Sequence, residues 1–139
     1  MHLACATIGL KKDDQVLVSS STNMACPFSI DYCGAIPIPI DIEKDTWQMD
    51  VTKVEQHIND KTKAIMVVHL FGHPVDMDVV LKIAKKHNLK IIEDCAEAHG
   101  VEYKGKKVGS IGDIAAFSFF ANKTITCGEG GMVVTNSDS

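Results

Sequence analysis

Apolar residues along this chain fall into short runs separated by stretches with helical spacing. QVLVS (15–19), AIPIPI (35–40), AIMVVH (64–69), LKII (89–92), the segment from Ile114 to Phe120 and MVVT (132–135) read as strands. Between them, LACATIGL reads as an apolar helical stretch ending at Gly9, and Met24–Tyr32 as a helix with Pro27 in its first turn. Asp50 is an N-cap for a helix Val51–Ile58, with Val51, Val54 and Ile58 on one face. Asp76 caps another helix to His87, with Val79, Val80, Ile83 and Ala84 inward. Uniformly apolar strands alternating with helices predict an α/β fold, a three-layer sandwich around a mostly parallel sheet. The prolines of AIPIPI suit an edge strand. The last two strands have no helix between them, so one of them is expected to run antiparallel. No repeat, linker or low-complexity stretch appears.

In open α/β sheets, ligands bind beyond the C-terminal ends of the strands. Those ends are Ser19–Thr22, His69–His73, Glu93–His99 and Ser118–Lys123, four polar clusters converging on one rim. Asp94, after the apolar strand KIIE, is placed either to meet a cationic ligand atom or to cap the AEAHG turn. Lys123 follows the next strand; a lysine on such a rim either forms a Schiff base or stays a solvated loop side chain. Ser118 offers a hydroxyl for phosphate or for its own backbone. GEGG (128–131) permits a tight return into the last strand. His69 and His73 are four apart, but Gly72 and Pro74 forbid a helix, so locally bonded loop histidines are favoured over a metal pair. His99 and Glu97 lie close enough to Asp94 to share its site.

Several classes are excluded. A net charge of −4 gives no basic face for nucleic acid, and no apolar run approaches a membrane span. Neither G-K-[ST] nor G-x-G-x-x-G occurs, which counts against a nucleotide-binding α/β domain. Five cysteines without a C-x-x-C pair argue against structural zinc and against a disulfide framework, so reduced thiols, a cytoplasmic location and no metal are expected. Cys95 and Cys127 read as buried inert thiols. The N-terminus lacks the features of a signal peptide.

The combination is more specific than its parts. VVHLFGHPVDMD followed by IIEDCAEAHGVEYKGKKVGSIGDIAAFSFFANKTITCGEGGMVVTN resembles the DegT/StrS-type sugar aminotransferases, pyridoxal-phosphate enzymes that aminate nucleotide-linked keto-sugars. The resemblance spans nearly the whole chain. It implies the large domain of a fold-type I pyridoxal-phosphate enzyme. Residues 1–139 would be its central portion, with an N-terminal segment and a C-terminal small domain outside this sequence. It implies that Lys123 is the Schiff-base lysine, Asp94 the partner of the pyridine nitrogen, Glu97 a residue against the cofactor and Ser118 a phosphate ligand. At Asn23 the family usually has an aromatic residue over the cofactor ring, a role left to Met24 or Phe28. The implied partners are a nucleotide-sugar substrate, an amino-acid donor (glutamate) and a second copy of the full-length subunit. A non-catalytic cofactor-binding or oligomerisation module derived from the same family remains the alternative, and the 139 residues alone are expected to be inactive.

Overall fold

The computed structural model describes residues 1–137; Asp138 and Ser139, the end of the TNSDS stretch, lie outside the described residues. In chain order the elements are α1 (His2–Thr7), β1 (Gln15–Ser19), α2 (Ala25–Asp31), β2 (Ile36–Ile40), β3 (Thr62–Val68), α3 (Met77–His87), β4 (Lys90–Asp94), β5 (Glu102–Tyr103), β6 (Lys106–Lys107), β7 (Ile114–Ser118) and β8 (Gly131–Thr135). Among the described residues, six strands form one sheet in the order β2-β1-β3-β4-β7-β8. All neighbouring pairs are parallel except β7–β8, which is antiparallel, as the missing crossover helix requires.

Alternation along the strands sorts the core into two faces. Leu17, Ile65, Val67 and Ile91 point to one face, where they pack under α3 and the segment 49–54. Val16, Val18, Ala64, Met66 and Ile92 point to the other, under Ala4 and Cys5 of α1 and Cys26 and Ile30 of α2. Covered faces explain why β1, β3 and β4 are apolar almost without interruption. β2, with Pro37 and Pro39, is an edge strand, because an edge tolerates residues that donate no ladder hydrogen bond. The result is the expected three-layer arrangement.

α3 follows its local chemistry. The Asp76 carboxylate accepts from Val79 N–H, Met77, Val80, Ile83 and Ala84 are buried, and Lys85, Lys86 and His87 face the negative end of the helix. Asn88 then turns left-handed (φ 53°) and ends it.

The expected helix Val51–Ile58 is instead two 3₁₀ turns, Val51–Lys53 and Glu55–His57. His57 supplies one reason. Its N–H bonds the Val54 carbonyl, and its ring Nδ1 lies 2.8 Å from the Lys53 carbonyl that an α-helix would use. β-Branched Val51, Thr52 and Val54 add to the preference against α geometry. The small hairpin β5–β6 has no counterpart in the periodicity of the sequence. Lys104 (φ 49°) and Gly105 (φ 81°) form its turn, the pairing of positive φ values that joins two-residue hairpins.

Candidate active site

β4 ends at Asp94, and its neighbour β7 ends at Ser118. Beyond these ends the chain from Phe119 to Gly130 folds back on itself. The Phe119 carbonyl accepts from Cys127 N–H and from Thr126 Oγ1, Phe119 N–H donates to Gly130 O, and Lys123 N–H donates to Phe120 O. This compact turn sets Lys123 above the strand rim with its side chain only 18% exposed.

Lys123, Asp94, Ser118 and Asn23 line one cavity of about 650 Å³, together with Phe28 and Phe120. That volume lies in the range of roughly 300–1,000 Å³ that small ligands occupy. A narrower space of about 30 Å³ adjoins it and touches Thr22, Asn23, His69, Asp94, Glu97 and Lys123. The four polar clusters at the strand ends therefore meet at one place.

Each polar group is oriented by neighbours. Asp94 is 5% exposed; Oδ1 accepts from Ala96 N–H at 2.9 Å and Oδ2 from the Cys26 thiol at 2.9 Å. The first bond is the turn cap foreseen for an aspartate at this position, and it coexists with exposure of the carboxylate to the cavity. Glu97 Oε2 accepts from Phe71 N–H at 2.9 Å, and Oε1 lies 3.8 Å from Lys123 Nζ, so Glu97 ties the 70–72 turn to the lysine. Ser118 Oγ accepts from Phe120 N–H at 3.3 Å. Asn23 Oδ1 accepts from Ala25 N–H at 2.9 Å, which commits that residue to the start of α2. Of the residues considered for an aromatic role, both are exposed, but Phe28 lines the cavity wall and Met24 does not.

Below the rim lies a second polar cluster. His69 and Glu93 are fully buried, with Nε2 and Oε2 3.0 Å apart. Val75 N–H donates to His69 Nδ1, so the ring proton sits on Nε2 and is donated to Glu93. Glu93 also accepts from the N–H groups of Gly109, Ile111 and Gly112 at 2.6–2.8 Å. Burial pushes its pKa up, but the bonds from His69 and the three amides outweigh that and hold it below the ordinary carboxylate range. Cys95 Sγ lies close enough to complete a three-ligand set with these two. Each His69 nitrogen and each Glu93 oxygen is nevertheless already hydrogen-bonded, so the group serves as an internal brace. His69 is thus a fully buried histidine bonded to Val75 nearby and to Glu93 24 residues away, not a locally bonded loop residue, while His73 lies on the wall of a different surface depression. His99 packs against Phe117 and Phe119, at 5.5 Å and 5.7 Å between ring centroids, and does not join the Asp94 cluster.

Cys95 is buried as expected, but Cys127 is exposed, within the largely exposed turn 119–130, where its Sγ donates to Glu129 O at 3.0 Å. Sequence reasoning also missed Cys26, whose hydrogen bond to Asp94 spans 68 residues. No local signal reports a contact of that separation.

This fold, with a lysine and a carboxylate on one cavity at the strand ends, defines a class. The chain belongs to the DegT/DnrJ/EryC1/StrS aminotransferase family, which matches residues 1–139. Among its relatives, GDP-perosamine synthase of Escherichia coli O157:H7 is 57% identical over 136 residues, covering 98% of this chain and 37% of that protein. An aminotransferase structure from Psychrobacter cryohalolentis superimposes with a TM-score of 0.95 at 44% identity, over 98% of this chain and 35% of that one. Spr1654 of Streptococcus pneumoniae, assigned as a sugar aminotransferase and solved in its PLP form, gives a TM-score of 0.91 at 34% identity, over 99% of this chain and 39% of that one. The chain thus spans little more than a third of the length of these proteins and has the fold-type I architecture of their family. Among the described residues no helix is long and apolar enough to cross a membrane.

Proposed function

We propose that residues 1–139 are the central portion of the cofactor-binding large domain of a pyridoxal-phosphate-dependent aminotransferase. Its substrate would be a nucleotide-linked 4-keto-6-deoxy sugar and its amino donor glutamate, with GDP-perosamine synthase as the functional type. The observation that carries this reading is the sharing of one cavity by Lys123 and Asp94. Family membership and a relative named GDP-perosamine synthase at 57% identity support it.

The donor set fits the cofactor. A primary amine, a nearly buried carboxylate, a hydroxyl at a strand end and an aromatic wall surround a space large enough for a pyridine ring with its phosphate. Pyridoxal phosphate, when bound, supplies an electron sink for the carbanion formed at the amine-bearing carbon. Lys123 Nζ would anchor it covalently and, once freed by the donor's amine, would carry the proton from the amine-bearing carbon to the cofactor carbon, a role worth about 10²–10⁴ in rate. The Asp94 carboxylate would pair with the protonated ring nitrogen, and Ser118 with backbone N–H groups would hold the phosphate. Glu97 would lie against the ring and keep the lysine near it. Asn23 would contact the ring edge without stacking, leaving the aromatic role to Phe28. In this reading the full-length subunit works in the cytoplasm as a homodimer, and the 139 residues alone are inactive.

Replacing Asp94 tests the assignment in protein expressed from the complete reading frame. Asp94→Ala should retain measurable cofactor through Lys123, yet lose about 10²–10³-fold in the amino-transfer half-reaction with glutamate. Near-normal transfer would remove Asp94 from this role.

A further inference from the structure

We infer that Cys26 is a positioning residue for the reaction: its thiol, backed by Thr22, fixes the plane of the Asp94 carboxylate so that it faces the ring nitrogen of the bound cofactor. This rests on the reading of Asp94 as the partner of that nitrogen.

The geometry is specific. Asp94 has two oxygens, and each is held by a different part of the chain. Ala96 N–H fixes Oδ1 from the turn after β4, and the Cys26 thiol fixes Oδ2 from the first turn of α2. Two donors on two oxygens stop rotation about the terminal torsion, which is otherwise broad for an aspartate. An ionised carboxylate accepts about four hydrogen bonds, so both oxygens keep capacity for a cationic N–H in the cavity. A thiol is a weak donor, but an anionic acceptor strengthens the bond.

Thr22 completes the arrangement. Its Oγ1 donates to Cys26 Sγ at 3.2 Å, which polarises the S–H toward Asp94. Cys26 is fully buried, and burial together with the neighbouring Asp94 charge raises its pKa, so the thiol keeps its proton and remains a donor throughout the neutral range. Ser29 and Cys5 do not compete for that proton; Ser29 Oγ donates to the Cys26 carbonyl instead. The chain Thr22–Cys26–Asp94 thus links the rim after β1, the start of α2 and the end of β4, and α2 becomes part of the cofactor site without touching the reacting atoms.

The test is a titration of pyridoxal phosphate into protein from the complete reading frame, followed by visible absorbance and its pH dependence. Cys26→Ala should raise the dissociation constant about tenfold and shift the pH profile of the chromophore. Cys26→Ser keeps a donor and should bind within about threefold of wild type. In an Asp94→Asn background, Cys26→Ala should change affinity less than about twofold, since a cycle isolates the coupling. Thr22→Val, which removes only the donor to sulfur, should show a smaller loss with the same dependence on Asp94. Wild-type affinity and pH profile in Cys26→Ala would overturn the inference. So would the same loss in the Asp94→Asn background, or serine binding as weakly as alanine. If wild-type protein fails to bind pyridoxal phosphate at all, the cofactor reading itself falls, and this inference with it.

Discussion

Glu93 shows how one buried residue can brace the elements beneath a site it does not line. Its carboxylate is fully buried and accepts from His69 and from three amides of the loop 109–112. Because its folded pKa lies below the unfolded value, its contribution to stability is present above that value, about 4.3. The contribution is lost as pH falls through the folded pKa. Urea unfolding at a series of pH values should therefore show wild-type stability dropping below about pH 4.5. In Glu93→Gln the protein should be less stable by about 3 kcal/mol at pH 7, because an amide NH₂ opposes one of the backbone donors. The part of the acid slope due to Glu93 should vanish in the variant. An unchanged slope would assign the acid sensitivity elsewhere. At this scale the placement of Asp94, Ser118 and Lys123 on one cavity was legible in the sequence, because each stands at or just beyond the end of an apolar run; their roles came from the family resemblance alone. Cys26 and Glu93 were not, since their roles lie in contacts with residues distant along the chain.

Elements were legible where one periodicity dominated. α3 was readable because its cap, apolar stripe and basic last turn agree. The 51–58 segment was misread because the three-residue step from Val51 to Val54 fits a 3₁₀ turn as well as a helix. The hydrogen bond from the His57 ring, invisible in a periodicity, favours the former. The loop 109–112 is a further case. Its glycines spell no nucleotide fingerprint, yet they let the backbone wrap the Glu93 carboxylate as a small anion nest. A Cβ on Gly109 would lie 2.6 Å and 2.8 Å from Phe117 ring atoms, at a backbone φ of +90°. Gly109→Ala should thus cost about 3 kcal/mol in chemical denaturation, from strain and overpacking together. Gly100 also has positive φ, but a Cβ there would meet no atom within 4 Å. Gly100→Ala should cost only about 1 kcal/mol. Equal losses would show that crowding against Phe117 is unimportant.

On the scale of the whole molecule, the sheet order brings the ends of β1, β3, β4 and β7 to one rim, and the family fold follows from that order. Side chains from residues 22 to 123 meet there only because parallel strands all deliver their C-terminal ends to the same edge. One cofactor is proposed to span the cavity between Lys123 and Asp94. Borohydride reduction of protein from the complete reading frame, loaded with pyridoxal phosphate, followed by peptide mass mapping, tests it most directly. A pyridoxyl group should appear on the peptide containing Lys123 and on no other lysine. A modified lysine elsewhere, with Lys123 unlabelled, would contradict it.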